Sequence, residues 1–131
     1  MTTEAGLGMS KRVDLPYSEA VERVKSLLQG QGFGVLTEVD VRSTLKAKLD
    51  VEFQDYLIIG ACNPSLAHRA LQSDLGVGLL LPCNVLVYAV DGGSVVSIFD
   101  PEVGVTAMGV SGFEPIAQEA KALLSEVLAQ L

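Results

Sequence analysis

The chain lacks most of what a nucleic-acid-binding protein uses. It contains no tryptophan, and aromatic residues make up only 5% of it, although bases stack on aromatic side chains. Acidic residues number 16 against 9 basic ones, so the net charge is −7 and a phosphate backbone is repelled on average. Nucleic acid is therefore a poor candidate for a partner.

Cysteine and histidine are also scarce. The two cysteines, Cys62 and Cys83, do not have the CxxC spacing of a redox or zinc motif, and they do not make a disulfide framework. His68 is the one histidine and no nucleophile elbow occurs, so no Ser/His/Asp triad is indicated. A metal site built from Cys62, His68 and Cys83 lacks a fourth ligand at a recognisable spacing, so we expect no metal and no cofactor.

Long apolar runs of the kind that cross a bilayer are missing too, and so is a basic start with a signal-peptide core. We therefore expect a cytoplasmic protein with no membrane partner. The 131 residues suit one domain, expected over 9–131 after a flexible N-terminus over 1–8. Charged residues make up 19% and hydrophobic residues 49%, whereas about 25% of a typical soluble domain is charged. This apolar excess predicts an association surface, and we expect a homodimer.

The apolar pattern predicts elements in the order β-α-β-α-β-α-β-β-α. Stripes at helical spacing predict one long helix after Ser18, its expected N-cap, and another from Glu114 onward. Asp91-Gly92-Gly93 predicts a hairpin, whereas 74–82 and 104–112 are expected to be glycine-containing connections. We expect an α+β fold: a single mostly antiparallel sheet with two long helices packed on one face. A wholly parallel, doubly wound sheet is the less favoured alternative, because no glycine-rich phosphate loop opens a helix.

The residues best suited to catalysis or ligand binding lie between positions 60 and 88. An apolar run predicts a buried strand that ends near Cys62. Asn63 can cap the helix that follows, and Pro64 suits its first position because the missing N–H needs no partner there. Cys62 is then expected at a helix N-terminus, where the helix dipole favours a thiolate. Cys83 begins a run apolar enough to be a central strand.

Six side chains are candidates for a ligand-binding or catalytic site: Cys62, Asn63, His68, Cys83, Asn84 and Glu38. Cys62 is the candidate nucleophile, and His68, six positions later, is its candidate base. Each candidate also has a structural interpretation. The cysteines fit small buried residues, and His68 and Glu38 fit solvated surface positions. The two asparagines fit a helix cap and a hydrogen bond at a strand entry.

Three blocks of the sequence resemble one known family. They are GFGVLTEVDVRSTLKAKL at 32–49, ACNPSLAHRAL at 61–71 and LGVGLLLPCNVLVYAV at 75–90. In these blocks and in the Asp100-Pro101 pair, the chain is closely similar to the bacterial and archaeal domain of unknown function family 302. The resemblance covers nearly the whole chain from about Met9. It implies a compact α+β fold, grouped with the TATA-box-binding-protein-like folds, and a homodimer. It implies no established activity, and the acidic charge gives the fold comparison no DNA-binding meaning.

Two functions from different classes remain open. The first is a dimeric, non-catalytic module that binds a small or partly apolar ligand near the start of the Cys62-Asn63-Pro64 helix and beside Leu79–Leu81. The second is a thiol-dependent enzyme or redox sensor that uses Cys62. The first is favoured, because a free cysteine is more often a small buried residue than a nucleophile. The rate at which each thiol reacts across pH distinguishes the two functions.

Overall fold

The computed structural model describes residues 6–109 and 111–131. The elements in these ranges are β1 (Gly8–Val13), α1 (Tyr17–Gly30), β2 (Gly34–Asp40), α2 (Val41–Leu49), β3 (Tyr56–Cys62), α3 (Pro64–Ser73), a 3₁₀ helix (Leu75–Leu80), β4 (Cys83–Val90), β5 (Gly93–Phe99), α4 (Pro101–Met108) and α5 (Glu114–Ala129). Among the described residues, no helix is both long and apolar enough to cross a membrane.

The strands of the described residues form one five-stranded sheet in the order β1-β5-β4-β3-β2, and every neighbouring pair is antiparallel. β4 lies in the middle of the sheet, as its uninterrupted apolar sequence predicts. The β4–β5 hairpin turns at Asp91 and Gly92, and Gly92 adopts a φ of 76°, which glycine accepts without strain. The prediction of an α+β fold with an antiparallel sheet is confirmed.

The two long helices, α1 and α5, cover one face of the sheet, as predicted. Side chains alternate between the two faces of a strand, and Ile59, Val85 and Ile98 all point to the helix-covered face, where they are fully buried. Leu28 of α1 and Leu124 of α5 pack into the same core. Each fully buried leucine contributes about 1.5–3 kcal/mol relative to an exposed one. These apolar stripes therefore hold α1 and α5 on the sheet.

The opposite side of the sheet, called the outer sheet face below, belongs to neither packed core of the described residues. Its partly exposed apolar residues are Tyr56, Ile58, Leu86, Tyr88 and Val95. Tyr56 and Tyr88 stack with their ring centroids 5.2 Å apart, and the ring of Phe53 lies 6.2 Å from that of Tyr56. Strand alternation thus places a second apolar layer away from the helices.

Lys11 of β1 closes the end of the last helix. Its Nζ donates hydrogen bonds to the carbonyl oxygens of Leu128 at 3.0 Å and Leu131 at 2.8 Å. The last carbonyls of a helix have no partner within the helix, and a cation there also complements the helix dipole. Lys11 therefore fixes α5 to the first strand although the residues are more than a hundred positions apart.

Asp100 joins β5, α4 and α5. Its Oδ1 accepts a hydrogen bond from the Glu102 backbone N–H at 2.9 Å, which caps α4, and its Oδ2 accepts one from Lys121 Nζ at 2.9 Å. The hydrogen bond to Asp100 raises the pKa of the Lys121 ammonium above its ordinary value. Asp100 is a buried residue, so its charge is compensated by both partners.

Three local predictions differ from the structure. The range 104–112, expected to be a connection, contributes its first residues to α4, while Val110 in that range lies outside the described residues. The range 74–82 contains the 3₁₀ helix, whose Gly76 N–H donates to Asp74 Oδ1 at 2.7 Å. Ser18 is not an N-cap: α1 begins at Tyr17, and no side chain caps it.

The flexible N-terminus predicted over 1–8 falls partly on residues 1–5, which lie outside the described part of the chain. Gly8 is the first residue of β1. The carbonyl oxygen of Leu7 accepts a hydrogen bond from the Asp100 backbone N–H at 2.8 Å. Leu7 and Gly8 thus belong to the hydrogen-bonded fold.

Candidate functional site

An apolar cavity lies at the end of the sheet where β3 ends and β4 begins. Its volume is about 70 Å³. Its walls come from β3, α3, the 3₁₀ helix, β4, β5, α4, α5 and the turn after α1. The lining residues are Phe33, Ala61, Cys62, Asn63, Leu66, Ala67, Ala70, Val77, Leu80, Leu81, Cys83, Phe99, Pro101, Val105, Phe113, Ile116, Ala117 and Ala120. No side chain among them carries a full charge at neutral pH.

Asn63 fixes one wall of this cavity. It has the extended backbone of an N-cap, and its Oδ1 accepts a hydrogen bond from the Leu66 backbone N–H at 3.2 Å. Pro64 follows at the start of α3. The predicted cap is confirmed, and it directs the apolar stripe of α3, with Leu66 and Ala70, toward the cavity. Asn63 is the side chain that could orient a polar ligand group, but its Oδ1 is already used to cap α3.

The structure brings Cys62 and Cys83 to the same cavity. Cys83 pairs with Ala61 across the β3–β4 ladder. Cys62 is the residue after Ala61, so the two cysteines are close neighbours across the two strands. Burial raises the pKa of the Cys62 thiol above its ordinary value. Burial, and secondarily the nearby Cys62, raise the pKa of Cys83 to about 11.

Burial opposes the activation of Cys62 that the helix start predicts. A helix N-terminus favours a thiolate, whereas desolvation favours the neutral thiol, and desolvation raises the pKa of Cys62. Since the thiolate is the nucleophilic form, burial works against the reactivity of both cavity thiols near neutral pH.

The other three predicted site residues lie elsewhere. His68 is exposed on α3 and does not line the cavity. Asn84 is exposed, and its pairing with Gly60 puts it on the opposite side of β4 from Cys83. Glu38 forms an ion pair with Lys25 between β2 and α1. His68 is thus not placed in the cavity as a base for Cys62.

Three phenylalanines were missed as site residues. Phe33, Phe99 and Phe113 all line the cavity, although they are far apart in the sequence and follow no recognisable motif. Of the predicted apolar segment Leu79–Leu81, Leu80 and Leu81 line the cavity, whereas Leu79 is 94% exposed. The sequence predicted a site near the start of α3, where this cavity lies, but did not indicate that three phenylalanines line it.

The cavity supplies little for acid–base or metal chemistry. The titratable groups in its wall are the two thiols, both neutral near pH 7. Within residues 6–109 and 111–131, no group of three or more His, Cys, Asp or Glu side chains is arranged to hold a metal ion. The arrangement can exclude water from an apolar molecule and hold it by dispersion contacts.

Two comparisons with known proteins point to the same family. The family model described as "Domain of unknown function DUF302" matches residues 9–131. A crystal structure of an uncharacterized conserved protein DUF302 from Bacillus stearothermophilus is similar, with a TM-score of 0.88 and 30% sequence identity. The similarity covers 95% of this chain and 98% of that chain. No curated protein matches the chain.

Proposed function

This chain belongs to the DUF302 family, and we propose that it is a non-catalytic, homodimeric binding module whose cavity holds a small, largely apolar ligand. The observation that carries the proposal is the cavity itself: it combines a lining without full charges with walls from eight parts of the fold. Ligand sites are typically concave and apolar, with few polar groups. Asn63 and the two thiols are the few polar groups here.

The alternative function, a thiol-dependent enzyme or redox sensor that uses Cys62, has less support. Such a cysteine needs a lowered pKa or an adjacent base. Burial raises the pKa of Cys62 instead, and His68 lies outside the cavity. Rapid reaction of Cys62 with a thiol reagent at pH 7 would favour this alternative.

Xenon tests for a usable apolar cavity, because it enters such cavities without needing polar contacts. Methyl NMR under xenon pressure should show saturable shifts at Leu66, Val77 and Ile116, which line the cavity. The variant Ala70→Leu fills the cavity and should abolish these shifts. Ala47→Leu is the control, because Ala47 is exposed on α2. Absent shifts in the natural protein, or shifts that persist in Ala70→Leu, would contradict the proposal.

The outer sheet face is the proposed contact between two copies of the chain. Two chains of net charge −7 repel each other, so they associate best through a surface without carboxylates. The central positions of this face, Ile58, Leu86, Tyr88 and Val95, are uncharged. From the usual strand spacing and rise per residue, one face of a sheet of five strands with about seven residues each has an area on the order of 500 Å². A pair therefore buries roughly 1,000 Å², the lower end for specific interfaces.

The dimer is tested by sedimentation over a range of concentrations. We expect a dimer mass for the natural protein and a monomer mass for Leu86→Lys, which places a charge on the outer sheet face. Leu79→Lys is the matched control, since Leu79 is 94% exposed on the 3₁₀ helix. If Leu79→Lys dissociates the dimer and Leu86→Lys does not, the interface lies at the 3₁₀ helix and not on the outer sheet face. A monomer mass for the natural protein would refute the dimer.

A further inference from the structure

Phenylalanine is concentrated in the wall of the cavity, although it is rare in the chain as a whole. The chain has four phenylalanines, and three of them, Phe33, Phe99 and Phe113, line this one cavity. The fourth, Phe53, lies against Tyr56 near the outer sheet face. Two thiols, Cys62 and Cys83, complete the polarizable part of the wall. From this wall, and resting on the proposed function, we infer that the ligand contributes a single uncharged aromatic ring.

The size of the cavity allows one ring at most. Its volume of about 70 Å³ is about half that of an engineered apolar cavity, roughly 150 Å³, that stays dry and binds benzene. A single ring therefore already takes up the available space, and a fused polycyclic ligand exceeds it.

The chemistry of the wall favours a ring over a saturated hydrocarbon of the same size. Aromatic rings attract one another edge to face or offset, beyond the effect of buried area. Sulfur atoms also make favourable contacts with ring edges, and Cys62 and Cys83 keep their sulfurs neutral because burial raises the pKa of both thiols. An aliphatic ligand gains the buried area without these additional contacts.

The same wall excludes a charged ring. The lining offers no cation and no anion, and burying an unpaired carboxylate is strongly unfavourable. Arg69 and Lys121, on the helices that flank the cavity, already have acidic partners: Arg69 pairs with Glu119 at 2.8 Å, and Lys121 pairs with Asp100 at 2.9 Å. A benzoate-like molecule is therefore a poor ligand, although its ring has the right size.

Three probes test the inference by methyl NMR titration of the whole chain: toluene, methylcyclohexane and benzoate. Toluene and methylcyclohexane share a carbon skeleton and differ in aromaticity, while benzoate adds a charge to the ring. We expect saturable binding of toluene at the cavity methyls, roughly 2- to 10-fold tighter than that of methylcyclohexane. Benzoate is expected to cause no saturable shift.

Phe113→Leu removes one ring from the wall while keeping an apolar side chain, and should reduce the preference for toluene toward 1-fold. Phe99→Leu replaces it if that variant does not fold. Phe53→Leu is the matched control and should leave the preference unchanged, because Phe53 does not line the cavity.

Each outcome bears on a different part of the argument. Equal binding of toluene and methylcyclohexane would overturn the aromatic inference but leave an apolar binding module. Benzoate binding as tight as toluene binding would overturn the requirement for an uncharged ring. No binding of any of the three probes, together with no xenon response, would overturn the proposed function as well.

Discussion

Alkaline pH should destabilise this protein through Cys83, and the size of the effect follows from its burial. Burial raises the pKa of Cys83 from 9.0 to about 11. Below pH 9 the thiol is neutral in both the folded and the unfolded chain, so its stabilising effect is fully present. Between pH 9 and about 11 the unfolded chain ionises first, which favours unfolding as pH rises. Two pH units at about 1.4 kcal/mol each give a loss on the order of 3 kcal/mol.

The assay is urea unfolding of the natural protein and of Cys83→Ala at several values of pH from 7.5 to 11, with a non-thiol reductant present. Groups that do not interact with Cys83, including Lys121 with its raised pKa, titrate in both proteins and cancel in the difference. Cys62 is the exception, because it interacts with Cys83, but that interaction is the smaller cause of the raised pKa of Cys83. We expect the natural protein to lose on the order of 3 kcal/mol relative to the variant across this range. Two curves that stay parallel would show that Cys83 is not held neutral and would refute the burial argument.

Three further perturbations test the structure. Asn63→Ala should lower the free energy of unfolding by about 1 kcal/mol, the usual cost of a lost N-cap; Asn84→Ala, at an exposed asparagine, is the control, and equal effects of both would argue against capping. Val87→Asp should prevent folding, because Val87 is fully buried in the central strand and an unpaired charge there is strongly unfavourable; a soluble variant with a cooperative melt would contradict this placement. Lys11→Met should lower the free energy of unfolding in urea by roughly 2 kcal/mol, because it removes two hydrogen bonds to carbonyls at the end of α5; an unchanged midpoint would mean that water replaces the ammonium there.

Local sequence signals predicted the parts of the fold that depend on neighbouring residues. Asn63 before Pro64 specifies a cap within three residues of itself, and Asp91-Gly92 specifies a turn between two strands. The apolar run of β4 predicts a central strand, and β4 lies in the middle of the sheet, although Leu86 and Tyr88 on its outer side are partly exposed. In each case the physical cause lies within a few residues, so a single sequence reveals it.

The parts that were missed depend on residues distant in the chain. Gly104 lowers helix propensity, yet it lies within α4 because a Cβ there would come within 2.9 Å of the Phe99 ring. The pKa of Cys62 was expected to follow the nearby helix start, but burial by other elements determines its direction. No spacing in the sequence brings Phe33, Phe99 and Phe113 together, and the aromatic wall exists only after the chain folds.

The strand order also has a consequence for how the protein is made. Within the described residues, β1 pairs with β5 alone, in a register that joins Gly8 to Phe99, while β4 and β5 form a tight hairpin. Because distant pairings carry the largest loop-closure entropy, we expect β1 to be the last of these strands to pair. During translation β1 then waits without a partner until β5 leaves the ribosome. Lys11 and Arg12, adjacent in β1, place a positive charge on each face of the waiting strand, which discourages it from pairing with other chains. Pulsed hydrogen exchange during refolding should protect the amides of β4 before those of β1, and protection in the reverse order would contradict this sequence of events.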